Sequence, residues 1–238
     1  MIDHRLCGTH CIRLAIDGDL LRAVSAHALT PFGCELLGID VRSVSVQDSQ
    51  LIHSALAHNG VVVLRAQRPS PREFERFLRS LGDLTFTDGE ARWHPDLELN
   101  SVSNVGRAQK PRSVFHTDTS YVGNPPAYTA LMPLSLPRSG GPTLFTDQYR
   151  AFDTLPSDLC RGLDRSSRVL HRMTGLRSDP SRTEMHWQPL FRRHPRSART
   201  ALYLSTPERC VSLSGFDDRA ARSRIHALYE HSCDEAAI

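Results

Sequence analysis

Two triplets in this 238-residue chain set a histidine two residues ahead of an aspartate: His94-Pro95-Asp96 and His116-Thr117-Asp118. In an extended segment, residues i and i+2 point to the same side. An imidazole nitrogen and a carboxylate oxygen at that spacing can therefore meet on one metal ion. Completed by a second histidine from a distant strand, such a pair is the facial triad that holds non-haem Fe(II). It leaves positions open for a chelating cosubstrate and for O₂. Spacing alone says little, because a chain with 12 histidines holds about one such triplet by chance. The ordinary reading of either triplet is a polar turn.

Their surroundings separate the two. His94 lies between Trp93 and a proline, in a stretch without a clear period. His116 closes a β-prone run, Ser113-Val114-Phe115, and a turn at Gly123-Asn124-Pro125-Pro126 leads to a strand-like Tyr128-Thr129-Ala130-Leu131-Met132. His116 and Asp118 are the candidate metal ligands and catalytic pair. His94 and Asp96 are expected not to converge.

Around this point the chain resembles the taurine dioxygenase-like (TauD/TfdA) Fe(II)- and 2-oxoglutarate-dependent oxygenases. The resemblance rests on blocks in a specific order: His116-Thr117-Asp118-Thr119-Ser120-Tyr121, Pro125-Pro126, Leu136-Pro137, Gly140-Gly141-Pro142-Thr143-Leu144-Phe145 and Ala151-Phe152-Asp153-Thr154-Leu155-Pro156. It runs from about Gly33 to the last residue. It implies a mainly β fold with flanking helices, a double-stranded β-helix (jelly roll). It also implies Fe(II) on His116 and Asp118, with 2-oxoglutarate and O₂ as cosubstrates. Thr143 matches the threonine that hydrogen-bonds a 2-oxoglutarate carboxylate, a role suited to a short hydroxyl; the alternative is an ordinary strand threonine. The implied activity is oxidation of a small molecule with release of succinate. Hydroxylation is favoured over halogenation, because Asp118 fills the position a halide would need. In place of the histidine-bearing segment of the sulfonate-binding member stands Leu84-Thr85-Phe86-Thr87, which argues against taurine as substrate.

The resemblance is incomplete. After Leu228-Tyr229-Glu230-His231 the family continues through strands bearing a Trp-Asp-Asn-Arg-like block, the distal iron histidine and the arginine that clamps 2-oxoglutarate; the 238 residues contain none of these. The expectation is a jelly roll lacking its last strands. A fragment, an inactive relative, or a site completed by another histidine (His171, His186, His194, His226, His231) or a second chain would each explain it. Losing two charge-assisted bonds to 2-oxoglutarate corresponds to about 3–6 kcal/mol. Negligible turnover by these 238 residues alone is therefore expected. The alternative function is a non-catalytic binding or interaction protein on a decayed oxygenase scaffold. A zinc hydrolase is disfavoured, since no H-E-x-x-H or H-x-x-E-H occurs.

The elements that must position the pair are partly legible. Leu20, Leu21, Val24 and Ala28 have near-helical spacing, and Cys34 to Val41 reads as a strand. Ser45 can cap a helix with Leu51, Ile52, Ala55 and Leu56 on its apolar face, ended by Asn59-Gly60. Val61 to Leu64 is a β-branched buried strand. Ser70-Pro71-Arg72-Glu73 is a capping box ahead of Phe74, Phe77, Leu78 and Leu81. Leu97 to Val102 is a strand candidate. Residues 83–112 would cover the mouth of the site, and 172–188 read as a polar, irregular, lid-like insertion. Helix with a break at Pro156 is expected over 147–164, its second piece capped by Ser157. A hairpin is expected from Pro189 to Leu204, and a final helix over 216–231 capped by Asp217.

Composition sets the outer limits. A single domain over 1–238 fits the length, with residues 1–32 as an N-terminal extension. Hydrophobic content of 39% and charged content of 23% are those of a globular chain. The net charge of +3 comes without a basic, aromatic-interleaved stripe, which argues against nucleic acid as a partner. No run is long and apolar enough for a membrane span. The six cysteines show no zinc spacing, Cys7 and Cys11 being the only close pair. Reduced thiols and a cytoplasmic location are expected. The expected partner is a small-molecule substrate, and homo-oligomerisation is left open.

Overall fold

The computed structural model describes residues 24–85, 94–102, 114–139, 141–176 and 179–234. They fall into two compact units. The first runs to Leu84 and includes His94–Leu99 and Pro195–Ser197. The second takes Asn100–His194 and the chain from Ala198 onward.

In the first unit, β1 (Ser25–Ala28) pairs antiparallel with β2 (Cys34–Leu37), and β3 (Val62–Val63) runs parallel to β2. Val24 and Ala28 thus flank or belong to a strand, not a helix: β2 supplies a ladder that four residues could not replace with a stable helical turn. The strand expected at 61–64 shrinks to two half-buried residues. Helix α1 (Val46–Asn59) starts at Ser45, whose side chain accepts the Asp48 N–H while the Asp48 carboxylate accepts the Ser45 N–H. It ends where the Gly60 N–H reaches the Leu56 carbonyl. Helix α2 (Pro71–Leu81) repeats the device with Ser70 and Glu73, and Pro71 opens its first turn. Cys34, Leu36, Ile39, Val41, Ile52 and Phe77 form this unit's core. Residues 97–102 form no strand, only a single bridge at Asn100.

The second unit carries the candidate site. Helix α3 (Gln148–Asp153) is capped by Asp147, and residues 157–162 form turns where a second helical piece was expected. Strands β4 (Arg168–Leu176) and β5 (Asp179–Pro189) form an antiparallel hairpin, and β8 (Cys210–Leu213) pairs with the other edge of β4. The stretch expected to be an irregular insertion is therefore the longest strand pairing among the described residues. Strands β6 (Phe191–Arg193) and β7 (Thr200–Leu202) make the expected hairpin. Helix α4 (Asp218–Ser232), capped by Asp217, buries Ala221, Ile225 and Leu228 at helical spacing. Those three pack with Val169, Leu190, Leu202, Leu204 and Leu213.

Residues 128–132 form no strand. A β-prone run becomes a strand only with a partner backbone, and none pairs with it among the described residues. Leu131, Leu134, Leu136, Leu144 and Phe145 are exposed along this part of the chain.

Candidate metal centre

Burial alternates from Val114 to Thr119: positions 114, 116 and 118 are exposed, and 115, 117 and 119 half-buried. This is the two-residue period of extended backbone, kept here without a strand partner among the described residues. The inward residues are fastened. The Phe115 carbonyl accepts from Tyr229 Oη of α4 at 2.9 Å. Burial, aided by the Cys233 thiol, pushes the Tyr229 pKa up to about 12, so this phenol stays a donor. Thr117 Oγ1 donates to the Leu204 carbonyl at 2.6 Å, and Ser205 Oγ lies 3.4 Å from both the Thr117 nitrogen and its carbonyl oxygen.

The outward residues meet. His116 Nε2 stands 3.1 Å from Asp118 Oδ1. Two atoms bound side by side on a metal at about 2.1 Å each are about 3 Å apart. The far atom of each group is tied elsewhere: His116 Nδ1 lies 2.9 Å from the Val114 carbonyl, and Asp118 Oδ2 accepts from Thr129 Oγ1 at 3.3 Å. A ring N–H given to a backbone carbonyl fixes the tautomer that offers Nε2 to a metal. The hydrogen bond to Asp118 holds the His116 pKa above its ordinary value, with the Val114 carbonyl adding to it against burial. The same bond lowers the Asp118 pKa, helped by Thr129 and by the field of Arg209. A proton and a metal would compete for the space between Nε2 and Oδ1.

The residues present thus fit two adjacent coordination positions. Among the described residues, no group of three His, Cys, Asp or Glu side chains could hold a metal ion. Two of the other candidate histidines have a ring nitrogen engaged elsewhere: His171 Nδ1 is 2.8 Å from Ser120 Oγ, and His231 Nε2 donates to the Ala151 carbonyl at 2.8 Å. Thr143 is exposed in a segment without helix or strand. His94 and Asp96 do approach, contrary to expectation, with Nδ1 3.6 Å from Oδ2. There, however, Nδ1 also accepts the Asp96 backbone N–H at 3.2 Å, so a local turn uses the nitrogen. Sequence reasoning missed Ser205, Thr129 and Arg209; single polar side chains brought in from loops leave no periodic signal.

The profile of the taurine catabolism dioxygenase TauD/TfdA family matches residues 25–238. The chain belongs to this family. Within it, the chain is 28% identical to the alpha-ketoglutarate-dependent sulfonate dioxygenase of Saccharomyces cerevisiae, over 87% of this chain and 55% of that one. It is 32% identical to pentalenolactone F synthase of Streptomyces arenae, over 71% of this chain and 67% of that one. A solved taurine dioxygenase from Burkholderia xenovorans superposes with a TM-score of 0.71 at 25% identity, over 90% of this chain and 75% of that one. The TauD/TfdA-family chain thus spans about half the length of the yeast relative, 55%. Among the described residues no helix is long and apolar enough to cross a membrane.

Proposed function

We propose that this chain is an Fe(II)- and 2-oxoglutarate-dependent dioxygenase that hydroxylates a small organic molecule on a double-stranded β-helix. The observation that carries the proposal is the facing pair, His116 Nε2 and Asp118 Oδ1 at 3.1 Å, both solvent-accessible and each tied at its far atom. Bound Fe(II), with 2-oxoglutarate and O₂, would supply oxidation of an unactivated C–H bond. The protein's part is to present two neighbouring donors in a fixed direction, with the His116 Nδ1 face held on the Val114 carbonyl so that Nε2 is the nitrogen offered once a metal displaces the proton between it and Asp118. Thr143 would bind a carboxylate of 2-oxoglutarate. Relatives named for a sulfonate and for pentalenolactone F support a small organic substrate without selecting one.

The deciding experiment is anaerobic Fe(II) retention by the wild type and by Asp118→Ala, followed by succinate formation from 2-oxoglutarate with ascorbate and O₂. Retention near one Fe(II) per chain, lost in Asp118→Ala, is expected, and any succinate formed depends on His116. Equal retention by both proteins overturns the metal assignment. A wild type that holds no Fe(II) leaves the non-catalytic reading of the scaffold standing.

A further inference from the structure

Behind the candidate ligands lies a buried polar seat that the metal chemistry does not itself require. In the β4–β5 ladder Val169 stands opposite Gln188, and His171 opposite His186. Side chains paired in register and two residues apart along a strand share a face. This face therefore carries Val169, His171, His186 and Gln188, three of them polar. The loop that follows Asp118 lies on it. Ser120 Oγ is 2.8 Å from His171 Nδ1, and both residues are 0% exposed. Gln188 Nε2 donates to the Ser120 carbonyl at 3.1 Å and to the Val122 carbonyl at 2.7 Å. At Gly123 a Cβ would stand 3.3 Å from His186 Cε1, so the backbone comes as close as the imidazole permits.

We propose that His171 and Gln188 are positioning residues that set the direction of Asp118, and through it the aim of the His116–Asp118 pair, by gripping the chain two to four residues downstream. The proposal rests on the reading of that pair as metal ligands. A filler role explains the seat poorly. His171 Nε2 is buried with no hydrogen bond of good geometry among the described residues, and burial, with the Arg192 guanidinium adding to it and the Tyr203 backbone opposing, pushes the His171 pKa down to about 4. An apolar residue of similar volume would fill the space without stranding a polar atom. What the imidazole provides and an apolar residue cannot is a directional bond to Ser120. Buried partners that hydrogen-bond a ligand directly affect metal affinity by about 10- to 100-fold; His171 acts one step further out, through Ser120, so the lower end of that range is expected.

The test uses the full chain and Mn(II) as probe, with affinity read by the loss of the free-ion EPR signal and loop order by amide hydrogen exchange. His171→Leu removes the bond from the seat and Ser120→Ala removes it from the loop, the latter serving also if the former does not fold. His171→Asn places an amide near the position of Nδ1. Expected are about tenfold weaker Mn(II) binding in His171→Leu and Ser120→Ala, faster exchange confined to residues 117–122, and recovery of most of the affinity in His171→Asn. A His116-dependent affinity that neither His171→Leu nor Ser120→Ala weakens overturns the proposal alone. So does an equal loss in His171→Leu and His171→Asn that follows their melting temperatures. Identical Mn(II) binding by wild type and His116→Ala overturns the metal reading, and the proposal with it.

Discussion

The two histidine–aspartate triplets have the same spacing and opposite architecture. In His94-Pro95-Asp96 the histidine nitrogen accepts its neighbour's backbone N–H, and Asp96 lies 3.9 Å from the exposed Arg72 guanidinium. The intervening proline has no N–H with which to fasten the segment. In His116-Thr117-Asp118 the intervening threonine is fastened to Leu204, the histidine's spare nitrogen faces Val114, and Nε2 faces the carboxylate. What distinguishes a candidate site from a turn is therefore the residue between the ligands and the contacts behind them, not the ligands themselves.

The largest effect should come from removing one histidine from each triplet. His116→Ala is expected to weaken Mn(II) binding by more than about 100-fold, beyond the range seen for outer contacts, while His94→Ala leaves it unchanged. An equal loss in both, measured by equilibrium dialysis, would break the comparison.

The next effect concerns the support behind His116. His171 is buried and neutral, with Ser120 Oγ on Nδ1, Cys210 Sγ 4.0 Å away, the Tyr203 ring at 5.7 Å and Arg192 lying over that ring. His186 is its partner across the ladder. Its folded pKa of about 4 lies below the ordinary value of 6.5. Between these values the unfolded chain binds the extra proton, so stability rises with pH. The contribution is complete above about pH 6.5 and is lost as pH falls towards 4, amounting to about 3 kcal/mol. Denaturant unfolding at pH 4.5 and 7 should show most of this difference in the wild type, about 2 kcal/mol, and a smaller one in His171→Asn.

Smaller again is the intervening threonine. Thr117→Val leaves the Leu204 carbonyl without its 2.6 Å donor, at a cost of about 1–2 kcal/mol. A lowered melting temperature accompanied by weaker Mn(II) binding would sharpen the comparison. An unchanged melting temperature would show that Thr117 is not what secures the segment. The smallest effect is expected at Thr129→Val, which removes an exposed 3.3 Å bond to Asp118. It should change Mn(II) affinity only a few-fold, since such a bond contributes under about 1 kcal/mol.

How much of this was legible in the sequence depended on where the polar residues sit. Helices α1, α2 and α4 are read from their caps and apolar stripes, because both signals are local. The β4–β5 hairpin is not, although its pairing keeps one register from Arg168–Pro189 to Thr174–Thr183. In β5 the inward face carries His186 and Gln188 while outward Met185 and Trp187 are exposed, so there the usual alternation of apolar and polar residues is inverted, and in β4 the inward row is interrupted by His171. The polar seat that holds the loop is thus also what hides the strands. At the site, the pair itself follows from i, i+2 spacing and the family's block order. The contacts from Leu204, Ser205 and Tyr229 do not, because they come from 87 or more residues away. The strand misread at 128–132 is the converse case: propensity was present, and among the described residues a partner was not.

One residue in the loop that follows the candidate ligands has consequences beyond its contacts. Thr119 has φ +48, the left-handed region that a β-branched side chain rarely adopts. It ends the alternation that runs from Val114 and lets Ser120 turn into the core. Backbone of this kind stores about 1 kcal/mol or more, which glycine would release while widening the range of turns open to the loop. Position 119 therefore sets heat tolerance against accuracy of aim. Two libraries built from this chain, one sorted for melting temperature and the other for metal retention, should part company there: glycine accumulating in the first, threonine persisting in the second.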